Sequence, residues 1–330
     1  MQSNSVEFKK IYNNQRKKIN VLLEKCLNGK NPESLYTPGK YILDGGGKRL
    51  RPILVLFSAK AVGGKFSKVY NASIAVELLH NFTLVHDDIM DNADKRRGRL
   101  TLHKKYDTNT AILVGDSLLS IAYELLLKDC NGETKTVMSA FNKSLIEVCE
   151  GQSMDKDFET LKSVSLDDYL VMIRKKTAAM AEMCCTIGAL LGGGSKKEVS
   201  ALAAYGKNIG IAFQIQDDLL DITGDEKELG KSIGGDLSEG KKTYLFLKAL
   251  EKSKGTDKEK LMNVIRKKGI HWNEVPEYKK LYEKLGVIDD AKKDINHYTS
   301  IALKKIKTLE KKKDQEIFTW LADSLINRIS

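Results

Sequence analysis

The chain has 330 residues, 42% of them hydrophobic, so it can form one large domain or two ordinary ones with a substantial core. Only 4 prolines occur and Leu, Ala, Lys and Glu dominate, which favours an all-α fold. The net charge of +11 fits nucleic acid, an anionic membrane or phosphorylated substrates as partners. Much of that charge lies in lysine runs without interleaved aromatic residues, which is typical of solvated helix faces rather than of a nucleic-acid-binding motif.

The predicted elements begin with an amphipathic helix over residues 6–28. A glycine-rich basic turn covers residues 44–52, and Pro52 suits the first turn of a helix that runs to about Ala61. Further helices are predicted over 67–91, 110–127, 135–157, 166–192 and 196–223, with a charged loop over 92–99. A loop rich in Gly, Lys and Asp covers 223–242, and about three more helices follow. We find no composition typical of a linker, so residues 1–330 are predicted to form a single domain.

Two aspartate clusters with the same internal spacing end two of these helices. They are Asp87, Asp88 and Asp91 in the first, and Asp217, Asp218 and Asp221 in the second. Residues four apart share a helix face, so the first and last aspartate of each cluster repel unless a cation compensates them. Carboxylate oxygens without nearby Cys or His favour Mg²⁺, which proteins often hold together with substrate phosphates. One such cluster could be a solvated helix end, but the repetition predicts a Mg²⁺–phosphate site shared between two helices.

Basic residues accompany both clusters and the early glycine turn. They are Lys48, Arg49 and Arg51 in the turn, Lys95, Arg96 and Arg97 after the first cluster, and Lys231, Lys241 and Lys242 after the second. Arginine binds phosphate through a planar fork and lysine as a point charge, while glycines let backbone N–H groups approach the anion. Taken alone, the glycine turn could be a flexible surface loop. It lacks the spacing of a P-loop or a dinucleotide fingerprint, which argues against nucleotide binding.

The cysteines and the N-terminus bear on location. Five cysteines lie at irregular spacings without a CxxC pair, which predicts reduced thiols. The N-terminus has no basic segment followed by an apolar one, and no apolar run is long enough in our reading to span a membrane. We therefore predict a cytoplasmic protein without a transmembrane segment.

Taken together, these motifs closely resemble those of the trans-isoprenyl diphosphate synthases, the polyprenyl synthetase family, and most closely the archaeal-type short-chain enzymes that make geranylgeranyl diphosphate. The matching stretches are 46–52, 77–80, 84–91, 96–98, 115–116, 151–152, 176–177, 213–221, 230–231 and 235–241 with Thr243. One departure is Leu100, where the family often has proline. The resemblance implies an antiparallel helical bundle around a deep central cavity, usually as a homodimer. It also implies head-to-tail condensation of an allylic diphosphate (dimethylallyl, geranyl or farnesyl) with isopentenyl diphosphate.

The resemblance also implies roles for individual residues. Asp87 and Asp91, supported by Asp88, would bind two Mg²⁺ ions, and Asp217, helped by Asp221, would bind a third. The allylic diphosphate would be held by Arg96, Lys176, Lys231 and Lys241. Isopentenyl diphosphate would be held by Lys48, Arg51, His80 and Arg97. Lys176, Thr177 and Gln214 would lie near the developing allylic cation, and the family's general base is the released diphosphate itself.

Product length is predicted from the helix that carries the first cluster, because in this family the growing chain extends beside it. Phe82 lies five residues before Asp87, or about 7.5 Å along a helix, and Thr83 beside it is small. A ring at this level would act as a floor and favour a C20 product, although Phe82 could also be an ordinary core residue. A farnesyl (C15) or longer polyprenyl product is the alternative.

Three more distant alternatives remain. A terpene cyclase would use the same ionisation, but its second metal motif normally carries Asn, Ser and Glu ligands rather than a second aspartate cluster. A noncatalytic partner subunit would be expected to lack metal aspartates that are present here. A basic nucleic-acid-binding helical protein would bind in a salt-sensitive way without Mg²⁺-dependent turnover.

Overall fold

A computed structural model describes residues 2–224 and 233–326, and these are almost entirely helical. The helices are α1 (Gln2–Cys26), α2 (Glu33–Leu43), α3 (Leu50–Ala61), α4 (Tyr70–Met90), α5 (Leu102–Lys105), α6 (Thr108–Asp129), α7 (Thr134–Thr160), α8 (Leu166–Ile173), α9 (Ala179–Leu191), α10 (Lys196–Thr223), α11 (Gly235–Ser238), α12 (Tyr244–Lys252), α13 (Gly255–Lys267), α14 (Val275–Lys284), α15 (Val287–Ile306) and α16 (Lys312–Ile326). Two short strands, β1 (Lys95–Arg96) and β2 (Arg99–Leu100), pair antiparallel.

The chain divides into two compact units, each assembled from three separate stretches. Unit 1 comprises Met1–Asn142, Met183–Ala203 and Thr308–Trp320. Unit 2 comprises Lys143–Glu182, Ala204–Lys307 and Leu321–Ser330. The first aspartate cluster therefore belongs to unit 1 and the second to unit 2. That the whole chain acts as a single domain stays a prediction.

The core of unit 1 is built around α3 and α4, which are apolar on most of their surface and buried along most of their length. Helix α6 packs along α4. A side chain at Gly115 of α6 would overlap the His86 ring, so glycine permits this close approach. The packing fixes the part of α4 that carries the first aspartate cluster.

The core of unit 2 surrounds the C-terminal half of α10. Ile215, Leu219 and Ile222 are buried there with aromatic residues such as Tyr169 and Tyr282. A π-helical turn, Arg174–Ala178, separates α8 from α9. Gly151 lies so close to this turn that a Cβ atom would overlap the backbone of Lys176. The bulge therefore depends on a glycine in the neighbouring helix, and π-bulges often mark functional positions.

Several predicted elements need correction. Helix α2 was not predicted, because it contains Pro38 and Gly39; both are buried, and Gly39 packs against Leu27. The charged loop over 92–99 contributes to the β1–β2 hairpin, the helix predicted over 166–192 is interrupted by the π-helical turn, and α11 lies within the predicted loop 223–242. Five helices longer than eight residues, rather than about three, occupy the described part of the chain after residue 243.

Our expectation that no apolar run reaches membrane-spanning length also needs correction. Among the described residues, Thr108–Asp129 is long and apolar enough to cross a membrane, judged by length and composition alone. A core helix of a globular protein can meet the same criteria. Here 39% of the tested 18-residue window is buried inside the structure.

Candidate active site

The glycine-rich turn directs its basic residues in different directions. Gly46 and Gly47 adopt φ values of 71° and 132°, which glycine allows at little cost. The carbonyl oxygen of Lys48 accepts a hydrogen bond from the Tyr12 hydroxyl. Arg49, which the sequence grouped with the phosphate-binding candidates, is 5% exposed and forms an ion pair with buried Glu77. The turn therefore supplies one structural arginine alongside the candidate ligands Lys48 and Arg51.

Arg51 and His80, two of the predicted isopentenyl-diphosphate ligands, contact each other. The NH1 atom of Arg51 lies 3.2 Å from Nε2 of His80. Burial, together with the nearby Arg51 and Arg97 guanidinium groups, lowers the pKa of His80 well below 6.5. The ring is therefore neutral near pH 7, and the positive charge at this position comes from the arginines.

Arg97 reaches the glycine turn from the β1–β2 hairpin. Its NH1 atom donates a 2.5 Å hydrogen bond to the carbonyl oxygen of Gly46. A Cβ atom at Gly47 would lie 2.9 Å from the same NH1 atom, so glycine leaves room for the guanidinium. Arg97 itself has a left-handed backbone with φ 53°, which places it at the tight turn between the strands. The four predicted isopentenyl-diphosphate ligands thus all belong to unit 1.

The first aspartate cluster ends α4, and its three carboxylates differ in exposure. Asp87 is half-buried, Asp91 is exposed at the C-cap, and Asp88 is 2% exposed. Oδ1 of Asp88 accepts 2.8 Å hydrogen bonds from Nε and NH2 of Arg96. Burial raises the pKa of Asp88, and the Arg96 guanidinium opposes that shift. Asp88 therefore anchors Arg96, and its supporting role in metal binding stays a prediction.

The predicted chain-length residues lie one to two turns before that cluster. The Phe82 ring centroid is 4.6 Å from that of His86, and the His86 ring in turn rests against Gly115. Thr83 donates its hydroxyl to the carbonyl oxygen of His80 at 2.8 Å, which holds its side chain against α4. Phe82 is therefore in tilted ring contact with a histidine that itself packs against α6.

The second aspartate cluster, at the end of α10, is more deeply buried than the first. Asp217 is half-buried, whereas Asp218 and Asp221 are 4% and 2% exposed. Oδ2 of Asp221 accepts a hydrogen bond from the backbone N–H of Asp236 at 3.1 Å. The backbone oxygen of Asp221 also accepts from the N–H of Gly234. Asp221 thus connects residues 234–236 to the end of α10 through these two hydrogen bonds.

Asp218, to which the sequence assigned no specific role, connects the residues predicted to lie near the cation. The Tyr169 hydroxyl and the Tyr244 backbone N–H both donate to its Oδ2 atom. Gln214 Nε2 donates to Asp218 Oδ1 at 3.1 Å, and Thr177 Oγ1 donates to Gln214 Oε1 at 3.0 Å. Burial and the Asp236 carboxylate raise the pKa of Asp218 to about 7. No motif in the sequence identified Tyr169.

The remaining predicted ligands also have acidic partners. Lys176 Nζ lies 2.5 Å from Asp155 Oδ2, and Lys241 Nζ lies 2.8 Å from Glu239 Oε2. The side-chain amide of Gln152 is buried one turn from Asp155 without a hydrogen-bond partner in the described structure. Lys231 lies outside the described residues.

The carboxylates of the two clusters are the type of ligand that Mg²⁺ prefers, but they do not form a complete set of protein ligands around an ion. In the described part of the chain, no group of three or more His, Cys, Asp and Glu side chains is arranged to hold a metal ion. Mg²⁺ is usually held by one or two carboxylates, water and substrate phosphates, so a partial set of ligands suffices. Within residues 2–224 and 233–326, the buried Oδ2 atom of Asp88 has no hydrogen-bond partner, so one acceptor of the first cluster is not used by these residues.

Comparisons with known proteins identify the class. The polyprenyl synthetase family model matches residues 32–285. A geranylgeranyl diphosphate synthase of Methanosarcina mazei is 46% identical over 241 residues, covering 72% of this chain and 74% of that protein. A geranylgeranyl pyrophosphate synthase of Geoglobus acetivorans is 40% identical over 96% of this chain and 98% of its own length. The solved structure of a geranylgeranyl pyrophosphate synthetase from Pyrococcus horikoshii is 34% identical, covers 99% of both chains and gives a TM-score of 0.89.

The fold and these matches define an all-helical prenyltransferase of the trans type. The chain belongs to the polyprenyl synthetase family. The predictions of family, all-α fold and enzyme class are therefore confirmed. The individual roles of the site residues stay predictions.

Proposed function

We propose that this enzyme condenses allylic diphosphates with isopentenyl diphosphate in a Mg²⁺-dependent reaction, with geranylgeranyl diphosphate as product. The observation that carries this proposal is the chemistry of the two aspartate-ended helices, each accompanied by basic side chains in its own unit. Relatives with the same activity in their names match nearly the whole chain. We further propose that the two units act as one isoprenoid synthase domain.

For the allylic substrate, we propose that Asp87, Asp91 and Asp217 are the principal ligands of up to three Mg²⁺ ions, with Asp88 and Asp221 in support. Bound Mg²⁺ would act as a Lewis acid on the departing diphosphate. Arg96, Lys176, Lys231 and Lys241 would contribute positive charge to the same anion. Arg96 forms an ion pair with Asp88, and Lys176 forms one with Asp155. These ion pairs support the role, because they hold the two basic side chains in place before the substrate binds.

For the second substrate, Lys48, Arg51, His80 and Arg97 would bind the diphosphate of isopentenyl diphosphate. The short contacts from Arg51 to His80 and from Arg97 to the glycine turn support a common site for these residues. A neutral His80 can donate one N–H to a phosphate oxygen while the guanidinium groups supply the charge.

The developing allylic cation would face the oxygen of Thr177. Nε2 of Gln214 must donate toward the Asp218 carboxylate, so its Oε1 atom is the acceptor for the Thr177 hydroxyl. The Thr177 proton is thereby directed away, and a lone pair of its oxygen is left for a neighbouring positive charge. This arrangement supports cation stabilisation by Thr177, with Lys176 and Gln214 adjacent.

We propose a C20 product and a homodimer. The ring contact between Phe82 and His86 supports a floor for the growing chain. Exposed apolar residues on α6, Ile112 at 38% and Leu113 at 60%, support an interface between two copies. The cytoplasmic location, and the absence of nucleic acid as a partner, stay predictions.

The test is incubation of the purified chain with labelled isopentenyl diphosphate and each allylic starter, followed by chromatographic sizing of the product. We expect C20 product, strict dependence on Mg²⁺ and no release of hydrocarbon from allylic diphosphate alone. Asp87→Ala is expected to abolish turnover because an essential metal ligand is lost. Near-normal turnover of that variant would contradict the assignment of Asp87 as a metal ligand. A C15 or C25 product would contradict the assignment of a C20 product.

A further inference from the structure

Arg49 is embedded in the protein although it lies among the candidate phosphate ligands of the glycine turn. Its Nε atom donates to Asn20 Oδ1 at 2.9 Å, NH1 to Glu77 Oε1 at 2.7 Å and NH2 to the Leu43 carbonyl oxygen at 2.8 Å. All three nitrogens thus donate to acceptors on α1, α2 and α4. Such a guanidinium is committed to the fold rather than to a substrate.

The backbone at Arg49 is unusual in a way that this network explains. Its φ of 53° and ψ of 37° lie in the left-handed region, which is unfavourable for a residue with a Cβ atom. Such conformations persist when the surrounding structure over-determines them. The buried ion pair with Glu77, whose side chain is 5% exposed, provides that constraint immediately before α3 begins at Leu50.

The network runs beside the proposed isopentenyl-diphosphate site. Glu77 lies three residues before His80 on α4, and therefore on the same side of that helix. Arg51 lies two residues after Arg49 and contacts His80. Two contacts, Arg49 with Glu77 and Arg51 with His80, thus join the same short segment to the same stretch of α4. Tyr12 holds the backbone of Lys48 on the other side of Arg49.

We infer that Arg49 and Glu77 are positioning residues for isopentenyl diphosphate: their buried ion pair fixes the backbone that presents Lys48 and Arg51 to its diphosphate group. This inference rests on the proposed function, which assigns that substrate to Lys48, Arg51 and His80. Lysine cannot replace Arg49, because a point-like ammonium cannot reach three acceptors in one plane. Glutamine cannot fully replace Glu77, because a neutral amide leaves the buried guanidinium without a counter-charge.

The test is steady-state kinetics of the full-length enzyme, with each substrate varied at saturating levels of the other. Arg49→Lys and Glu77→Gln are expected to raise the KM for isopentenyl diphosphate by about tenfold or more, since small misplacements of binding groups are costly. The KM for the allylic diphosphate should stay within about twofold. Arg266→Lys is the matched control, because Arg266 pairs with Glu259 on the surface, and it should change neither KM.

Thermal unfolding shows which variants are folded, and kinetic constants are interpreted only for those. If Arg49→Lys does not fold, the kinetics of Glu77→Gln test the inference. Equal rises in both KM values would show a general loss of structure and overturn the inference, as would two unchanged values in a folded variant. Lys48→Ala and Arg51→Ala separate this outcome from a failure of the proposed function. If these two variants leave the KM for isopentenyl diphosphate unchanged, the substrate assignment itself is wrong. If they raise it and the Arg49 and Glu77 variants do not, only the positioning role is wrong.

Discussion

At the scale of single residues, the aspartate clusters contain members of two kinds. Asp88 and Asp218 occupy the same position in the two motifs, and both are buried with protein donors, Arg96 in one case and Tyr169, Tyr244 and Gln214 in the other. Asp87 and Asp217 are half-buried at the start of their motifs. The repeated spacing thus combines an accessible carboxylate with one that organises its neighbours.

The hydrogen bond from Thr177 to Gln214 predicts a specific dependence on the hydroxyl group. Thr177→Val is expected to lower kcat about tenfold, because it removes the oxygen that we propose faces the allylic cation, an interaction worth about 1.4 kcal/mol. Thr177→Ser keeps the oxygen and should stay within about threefold of the original enzyme by the same reasoning. Single-turnover measurements with saturating isopentenyl diphosphate check this. Equal rates for the valine and serine variants would contradict it.

Phe82 and Thr83 predict opposite shifts in product length. Phe82→Ala removes the ring that contacts His86 and should shift the product beyond C20. Thr83→Phe adds a second ring at nearly the same level and should shift it below C20. Chromatographic sizing of the products from both variants checks this. An unchanged product from the alanine variant would show that Phe82 is an ordinary core residue.

His80 predicts the pH dependence of stability in the substrate-free enzyme. Its pKa is lowered in the folded state, so the unfolded chain binds more protons as the pH falls below about 6.5. His80 should therefore remove up to about 1.4 kcal/mol of stability per pH unit below that value. Urea unfolding at pH 7.5 and 5.5 should show a smaller loss for His80→Gln than for the unchanged chain. The control is His297→Gln, at an exposed position. It should lose as much unfolding free energy between pH 7.5 and pH 5.5 as the unchanged chain.

At the scale of elements, the π-helical turn between α8 and α9 is the feature that local sequence rules do not capture. The stretch 174–178 has an ordinary helical pattern, and the additional residue in the turn is accommodated only because glycines face it. Gly151 lies against Lys176, and Gly210 lies against Ala178. The bulge places Lys176 and Thr177 next to Asp155 and Gln214, on two other helices.

Gly210 provides the test at this scale. A Cβ atom at residue 210 would lie 2.6 Å from Cα of Ala178, and a backbone atom cannot rotate away. Gly210→Ala should therefore lower the free energy of unfolding by about 1–3 kcal/mol and reduce turnover, because Thr177 adjoins the displaced residue. Urea denaturation checks the first effect. Ser200→Ala, on the exposed side of α10, is the control, and equal unfolding midpoints for both variants would contradict the packing argument.

At the scale of the whole molecule, the apolar surface of α6 predicts the state of assembly. Leu113 is 60% exposed in the single chain, and its neighbour Ile112 is 38% exposed, which favours burial against a second copy. Leu113→Glu should shift the molecular mass measured by light scattering from dimer toward monomer. Val6→Glu, at a 71% exposed apolar position on α1, should leave the mass unchanged. A monomeric parent chain would refute the dimer directly.

The sequence alone determined the helical class, the approximate bounds of α3, α4, α6, α7 and α10, the family and the two aspartate-ended helices. These follow from helical periodicity and from motifs whose residues are close together in the chain. It failed at α2, because Pro38 and Gly39 signal a break in isolation but are buried against neighbouring helices. The same limit applied to the hairpin at Lys95–Leu100, where the charge pattern indicated a loop.

The tertiary structure decided which charged residues face inward. Arg49 and Arg51 are alike in type and two residues apart, yet Arg49 contacts buried Glu77 and Arg51 contacts His80. Asp218 acquired its role from Tyr169, which lies 49 residues earlier in the chain. The physical reason is that the cost of burying a charge depends on acceptors and donors brought from distant segments, and the spacing of residues within one helix carries no information about them.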